Sequence, residues 1–272
     1  MSYGLNPLAN NVNLAGNIPP STMDGLDAKT MSIIQQAMAQ NPGLTLKSFW
    51  GFRGYDTARC AAGTAFNASE FELFATPVGQ QTTEMNGTTQ YTKSLIDTNM
   101  RTARQLPQGQ LAWITSIQAR IVVTGQLDDT TQTGANLGLA NSPGIGSATV
   151  AADDVIGVNL AQAAMESIYM KFQYNQTSFE EGPLYLFPTR YVLSGFSGPA
   201  AYVPGTAGTT IMQNETLVNN GIGIVFTLPI VRQIDSLYQF GVTLQALNTF
   251  TPTRNFRIQI ILEGLGAKAV TG

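Results

Sequence analysis

The chain has no histidine, one cysteine and little charge. Each shortage removes a class of function. Without histidine there is no imidazole general base, no histidine metal ligand, and no Ser-His or Cys-His arrangement. The lone Cys60 cannot form a disulfide within the chain or a cysteine-based zinc site, and reads as a small residue in or near the core. Charged residues make up 11% of the 272, against a usual share of about 25%. The net charge is −3 and no run of three Lys or Arg occurs, so no sequence-specific nucleic acid is expected as a partner. No apolar run approaches the ~18–20 residues of a membrane span. The opening residues Met1 to Pro7 lack the basic start and apolar stretch of a signal peptide, so synthesis in a cytoplasm is expected.

Asn, Gln, Thr, Ser and 27 glycines stand in place of the missing charge. A surface of this kind repels its own copies weakly and suits close packing against other subunits.

Period-two alternation dominates the ordered parts of the chain. Tyr238, Phe240, Val242, Leu244 and Ala246 alternate with Gln239, Gly241, Thr243 and Gln245. After Asn248 to Pro252 the pattern resumes with Phe256, Ile258, Ile260 and Leu262 on one side. The expectation is an antiparallel C-terminal hairpin with one face buried. After Pro107-Gln108-Gly109, the residues Leu111, Trp113, Ile117, Ala119, Ile121 and Val123 are placed on one face of a long strand. Further strands are expected at Leu44 to Phe52, Phe71 to Ala75, Ile168 to Tyr174, Pro183 to Phe187 and Ile222 to Ile234, the last with Phe226, Leu228 and Ile230 inward. Residues 80 to 105 are polar and mixed.

Residues 1 to 21 read as an extended arm. Asp24 to Gln40 reads as a helix, stopped by Asn41-Pro42-Gly43, that either covers one edge of the sheet or meets a neighbouring subunit. The division is an arm and helix over 1–45 and a β domain over 46–272, with long loops at about 125–152 and 195–220. Eight or nine strands with very unequal connections fit an all-β fold, a single eight-stranded jelly roll. A double jelly roll, the alternative, needs about twice as many strands.

Any active site would rest on carboxylates. Asp128, Asp129, Asp153, Asp154, Glu180 and Glu181 are the candidates, adjacent in pairs and assigned to loops. Glycoside hydrolysis needs two carboxyl groups held apart across a cleft, which this arrangement does not offer. Calcium could sit between such Asp pairs and loop carbonyls, but no Asp-x-Asp-x-Asp-Gly loop occurs. Gly144-Ile145-Gly146 and Gly221-Ile222-Gly223 lack the continuation of a phosphate loop. Asn-x-Ser/Thr triplets at Asn67, Asn86, Asn175 and Asn214 are expected by chance in a chain this rich in Asn and Thr. No catalytic residue, cofactor site or metal site is assigned, and the chain is not expected to be an enzyme.

Several phrases occur together: Phe74-Ala75-Thr76-Pro77-Val78-Gly79-Gln80, then Leu95-Ile96-Asp97-Thr98-Asn99-Met100, then Gln105-Leu106-Pro107, and finally Phe256 through Gly264. Across about residues 70 to 265 the chain resembles the major capsid proteins of tailless icosahedral bacteriophages of the vertical jelly-roll kind. The resemblance implies a structural subunit of the virion capsid, assembled in the host cytoplasm. Its implied partners are copies of itself, other capsid proteins such as a vertex protein, and often an internal viral membrane. Many members of that lineage carry two fused barrels, whereas one is read here. The second functional reading is a carbohydrate-binding or receptor-binding β-sandwich, which would need an aromatic or acidic cluster at a loop tip.

Overall fold

A computed structural model describes residues 28–123, 160–161, 163–189, 194–196, 216–218, 226–252 and 255–268. The arm 1–21, the loop 125–152 and the pairs Asp128–Asp129 and Asp153–Asp154 lie outside the described residues.

The fold is all-β, with two four-stranded antiparallel sheets around one buried cluster. The first sheet contains β1 (Phe49–Cys60), β12 (Phe256–Lys268), β5 (Gln110–Val123) and β10 (Phe226–Asp235), in that spatial order. The second contains β2 (Glu70–Leu73), β11 (Phe240–Ala246), β6 (Ile168–Tyr174) and β7 (Thr177–Pro183), again in spatial order. Among the described residues two small pairs complete the strands: β3 (Gln81–Thr83) with β4 (Gln90–Thr92), and β8 (Ser194–Phe196) with β9 (Thr216–Val218). This last pair falls largely within the expected 195–220 loop, whose described parts are therefore strands.

The alternating apolar residues of β6, β11 and β12 all point into the shared core. Ile168, Met170 and Phe172, then Phe240, Val242, Leu244 and Ala246, and Phe256, Ile258, Ile260 and Leu262 are buried together. β11 and β12 do not form the expected hairpin. β11 pairs with β2 and β6, while β12 pairs with β1 and β5. Their apolar faces meet across the core, so the connection steps from one sheet to the other. Phe250 in that connection stacks on Phe66 with ring centroids 4.5 Å apart.

β1 runs eight residues beyond the expected strand end at Phe52. Its core-facing row is Gly54, Asp56, Ala58 and Cys60, which carries no hydrophobic alternation to read. Cys60 is buried, and burial, reinforced by Glu84, pushes its thiol well above the usual range. β7 precedes the expected Pro183–Phe187 strand, and Leu184–Leu186 form a 3-10 turn instead.

Thr115 is an extra residue in β5. Ser116 pairs with Glu263 and Ile114 with Gly264, leaving Thr115 unpaired as a bulge. A bulge reverses the alternation, so Ala112 and Ile114 face the main core together with Ile117, Ala119 and Ile121. Leu111 and Trp113, expected beside Ile117, face the other side. There they meet Ile33 and Ala37 of the helix α1 (Ala28–Gln40), with Leu265 and Ala267 of β12. The helix thus covers the outer face of the first sheet rather than its edge. It ends where Asn41 turns back, its amide donating to Ala37 O at 3.1 Å.

β10 answers the same bulge with a longer irregularity between Thr227 and Arg232. Pro229 sits there, where no ladder bond is needed. Leu228 remains buried, but Ile230, expected inward, is 61% exposed.

Candidate functional site

Among the described residues no group of three His, Cys, Asp or Glu is placed to hold a metal ion, and no helix is long and apolar enough to cross a membrane. Glu180 and Glu181 lie in β7 opposite Phe172 and Lys171, not in a loop. Neighbours on a strand point to opposite faces, so they cannot act as a facing pair. Asn86 is buried, and its side chain is fully engaged. Its oxygen accepts from Ala61 N at 2.7 Å, and its nitrogen donates to Ala61 O at 2.9 Å and Thr64 O at 2.7 Å. It is a structural clamp, not an acceptor for sugar. Asn67 accepts from Ser69 N and Asn175 sits in the β6–β7 turn, both exposed; Asn214 lies outside the described residues.

The densest polar chemistry lies between β2 and β5, in the stretch where the sequence showed no pattern. Lys93 follows β4 and reaches into the core. Its Nζ donates to Asp56 Oδ1 at 2.6 Å and Oδ2 at 2.7 Å, with both side chains 0% accessible. Asp56 also accepts from the backbone N–H of Thr57 and of Phe74. Burial raises the Asp56 carboxyl above its ordinary range, against the opposing pull of Lys93 and those two donors. The pair bolts the excursion to the middle of β1.

A second pair fixes the next turn. Arg59 donates Nε to Asp97 Oδ1 at 3.1 Å and Nη2 to Oδ2 at 3.0 Å, the two-pronged geometry favoured by a guanidinium. Its carbon lies 4.4 Å from the centre of the Tyr91 ring. Asp97 also accepts from the backbone N–H and the hydroxyl of Ser94, each at 2.9 Å. Residues 98 and 99 then close the free edge of β1. Thr98 Oγ1 donates to Tyr55 O, and Asn99 takes both Tyr55 N and Arg53 O with its amide. Carried on this over-determined turn are Leu95 and Ile96, 69% and 71% exposed. Two large apolar side chains are thereby presented to solvent on a stiff mount, a feature of interaction surfaces.

Burial alone would raise the Asp97 carboxyl, but the hydrogen bonds from Arg59 and Ser94 outweigh it and hold the group below its ordinary 3.8. With the folded value lowered, the unfolded chain takes up the proton first. The stabilisation is therefore present above pH 3.8 and lost as pH falls through the folded value. Asp97→Asn is expected to flatten the fall of melting temperature between about pH 5 and about pH 2, read by a thermal melt at each pH.

A groove of about 290 Å³ opens at one end of the second sheet, where the β6–β7 turn, Arg104 and the β10–β11 turn meet. Arg104 and Glu72 form an ion pair on its wall. No sequence signal marked this place, because its residues come from four separate stretches of chain.

Comparison with protein family models, with curated proteins and with solved structures finds no match for the chain.

Proposed function

We propose that the chain is the structural subunit of an icosahedral virion shell, built on a single jelly roll. The observation that carries the reading is strand order. Numbering only the eight sandwich strands along the chain, one sheet runs 1-8-3-6 and the other 2-7-4-5. This is the order produced when one long antiparallel ribbon is folded over into two facing sheets by Greek-key connections, the jelly-roll arrangement. Eight such strands among the described residues favour one barrel over two fused ones.

Supporting the shell reading are the low charge, the rigid exposed Leu95–Ile96 tip and the resemblance over residues 70 to 265. Subunits of a closed shell gain stability by repeating a modest contact many times, so small apolar patches on stiff mounts suffice. The contacts are assigned to the arm 1–45, the loops 125–152 and 195–220, and the 94–98 turn. The partners this reading carries are copies of the chain and other capsid proteins such as a vertex protein, with an internal membrane as the resemblance often implies; nucleic acid is not read by sequence.

Replacing both Leu95 and Ile96 by Asp, or deleting residues 1–21, is expected to abolish or sharply reduce large assemblies in sedimentation, with the melting temperature of the subunit unchanged. Full assembly by both variants would remove these segments from the contact set.

A further inference from the structure

We infer that the groove at the end of the second sheet binds a neutral carbohydrate. This goes beyond the shell reading and does not depend on it.

The chemistry of the lining is unusual for a bare surface. Gln105, Gln173, Asn175, Gln176 and Gln239 all line the groove, and none of their side-chain amides has a hydrogen-bond partner among the described residues. Each amide offers an acceptor oxygen and two donor hydrogens in one plane. Five of them around one depression make a surface of alternating donors and acceptors, matched to a ligand whose hydroxyls both donate and accept. Charge does not compete with them. Glu72 and Arg104 are the charged residues of the lining, and they neutralise each other. Among the described residues of the lining a phosphate or other anion would find no free cation.

An aromatic platform stands beside the amides. Tyr238 is 45% exposed, and the ring of Tyr174 meets it edge-on at 5.9 Å and 85°. The backbone under Tyr238 is fixed as well, because Asp235 Oδ1 accepts from the N–H of Leu237 at 2.8 Å and of Tyr238 at 3.2 Å. A tyrosine held this way offers an apolar face and a polar tip, suited to the C–H face of a sugar ring.

Backbone strain gathers at the same place. Among the described residues four that are not glycine have positive φ: Phe74 (65°), Arg104 (55°), Asn175 (48°) and Gln176 (65°). Three line the groove, and Phe74 is tied to it by accepting from Arg104 N at 2.7 Å. Asn175 and Gln176 form the two-residue β6–β7 turn, where such angles are normal but the second position ordinarily takes glycine. A glutamine there costs conformational energy and returns an amide aimed at the groove. Strain held by surrounding structure is a mark of ligand sites.

The test uses the purified full chain on an array of neutral oligosaccharides built from hexoses and N-acetylhexosamines. Hits are titrated by calorimetry against wild type, Tyr238→Ala, Gln173→Ala and, as an exposed tyrosine outside the groove, Tyr185→Ala. The expected result is binding of at least one neutral glycan, weakened about tenfold or more by Tyr238→Ala and by Gln173→Ala and unchanged by Tyr185→Ala. Thermal melts of each variant verify folding. No neutral glycan bound, binding confined to acidic glycans, or binding indifferent to both groove variants would each overturn the assignment. Loss of assembly in the groove variants, with no glycan bound by wild type, would make the groove a contact between copies and overturn it equally.

Discussion

Asp56→Ala is expected to destabilise the fold by about 3–5 kcal/mol, the loss typical when one member of a buried ion pair is removed. Total stability of a domain is about 5–15 kcal/mol, so the variant should melt far below wild type or express in insoluble form. The reason is local. Both contacts of the Lys93 ammonium go to Asp56, and the Thr57 and Phe74 amides lose their acceptor in the same step. Lys93→Met should be milder, because the carboxyl left behind keeps those two donors and can protonate. Its pH dependence has a definite sign. Asp56 already sits above its ordinary 3.8 through burial, and removing Lys93 takes away a lowering influence. A raised folded value stabilises below the unfolded value and is lost as pH rises through the folded one. Lys93→Met should therefore lose less stability relative to wild type near pH 4 than near pH 7. Asp56→Asn combined with Lys93→Met removes both charges and should recover most of the loss. Denaturant melts of the three variants at both pH values decide the matter, and equal losses in all three would mean that the pair is not the bolt described here.

Gly264→Ala should be comparably severe for a steric reason. A Cβ at this position would lie 1.8 Å from Trp113 O and 2.9 Å from Trp113 C. The obstacle is backbone of β5 at the Thr115 bulge, in the central pairing of the first sheet, and cannot rotate away. The cost should exceed the roughly 1–3 kcal/mol of ordinary overpacking. Gly266→Ala is the informative contrast, since its Cβ would meet the Trp50 indole at 2.6 Å, a partly exposed side chain that can shift. Gly51→Ala meets nothing within 4 Å and should be near neutral. A melting series in the order Gly264, Gly266, Gly51 is predicted; a mild Gly264→Ala would show that the bulge can relax.

The sequence made some of this legible and hid the rest for physical reasons. β6, β11 and β12 were readable because their inner rows are uniformly large and apolar. Their pairing was not readable, since alternation reports a buried face but not which strand lies beside it. β1 was half hidden because its inner row is Gly, Asp, Ala and Cys. Trp113 faces the helix rather than the core beside Ile117 because one extra residue, Thr115, reverses the alternation without changing the composition. The stretch 80 to 105 looked featureless, yet it supplies Lys93 and Asp97 to partners 37 and 38 residues away along the chain. Of the acidic candidates, Glu180 and Glu181 belong to a strand. The amide groove assembles only in three dimensions, and glutamines scattered through the chain carry no spacing to recognise.

The central claim is self-assembly, and the most direct test is the mass of the purified native protein in solution, by light scattering with negative-stain imaging. Capsomers, rings or shells of many copies are expected, in a proportion that responds to concentration. A monomer or trimer of fixed mass, indifferent to concentration and to divalent ions, would contradict it.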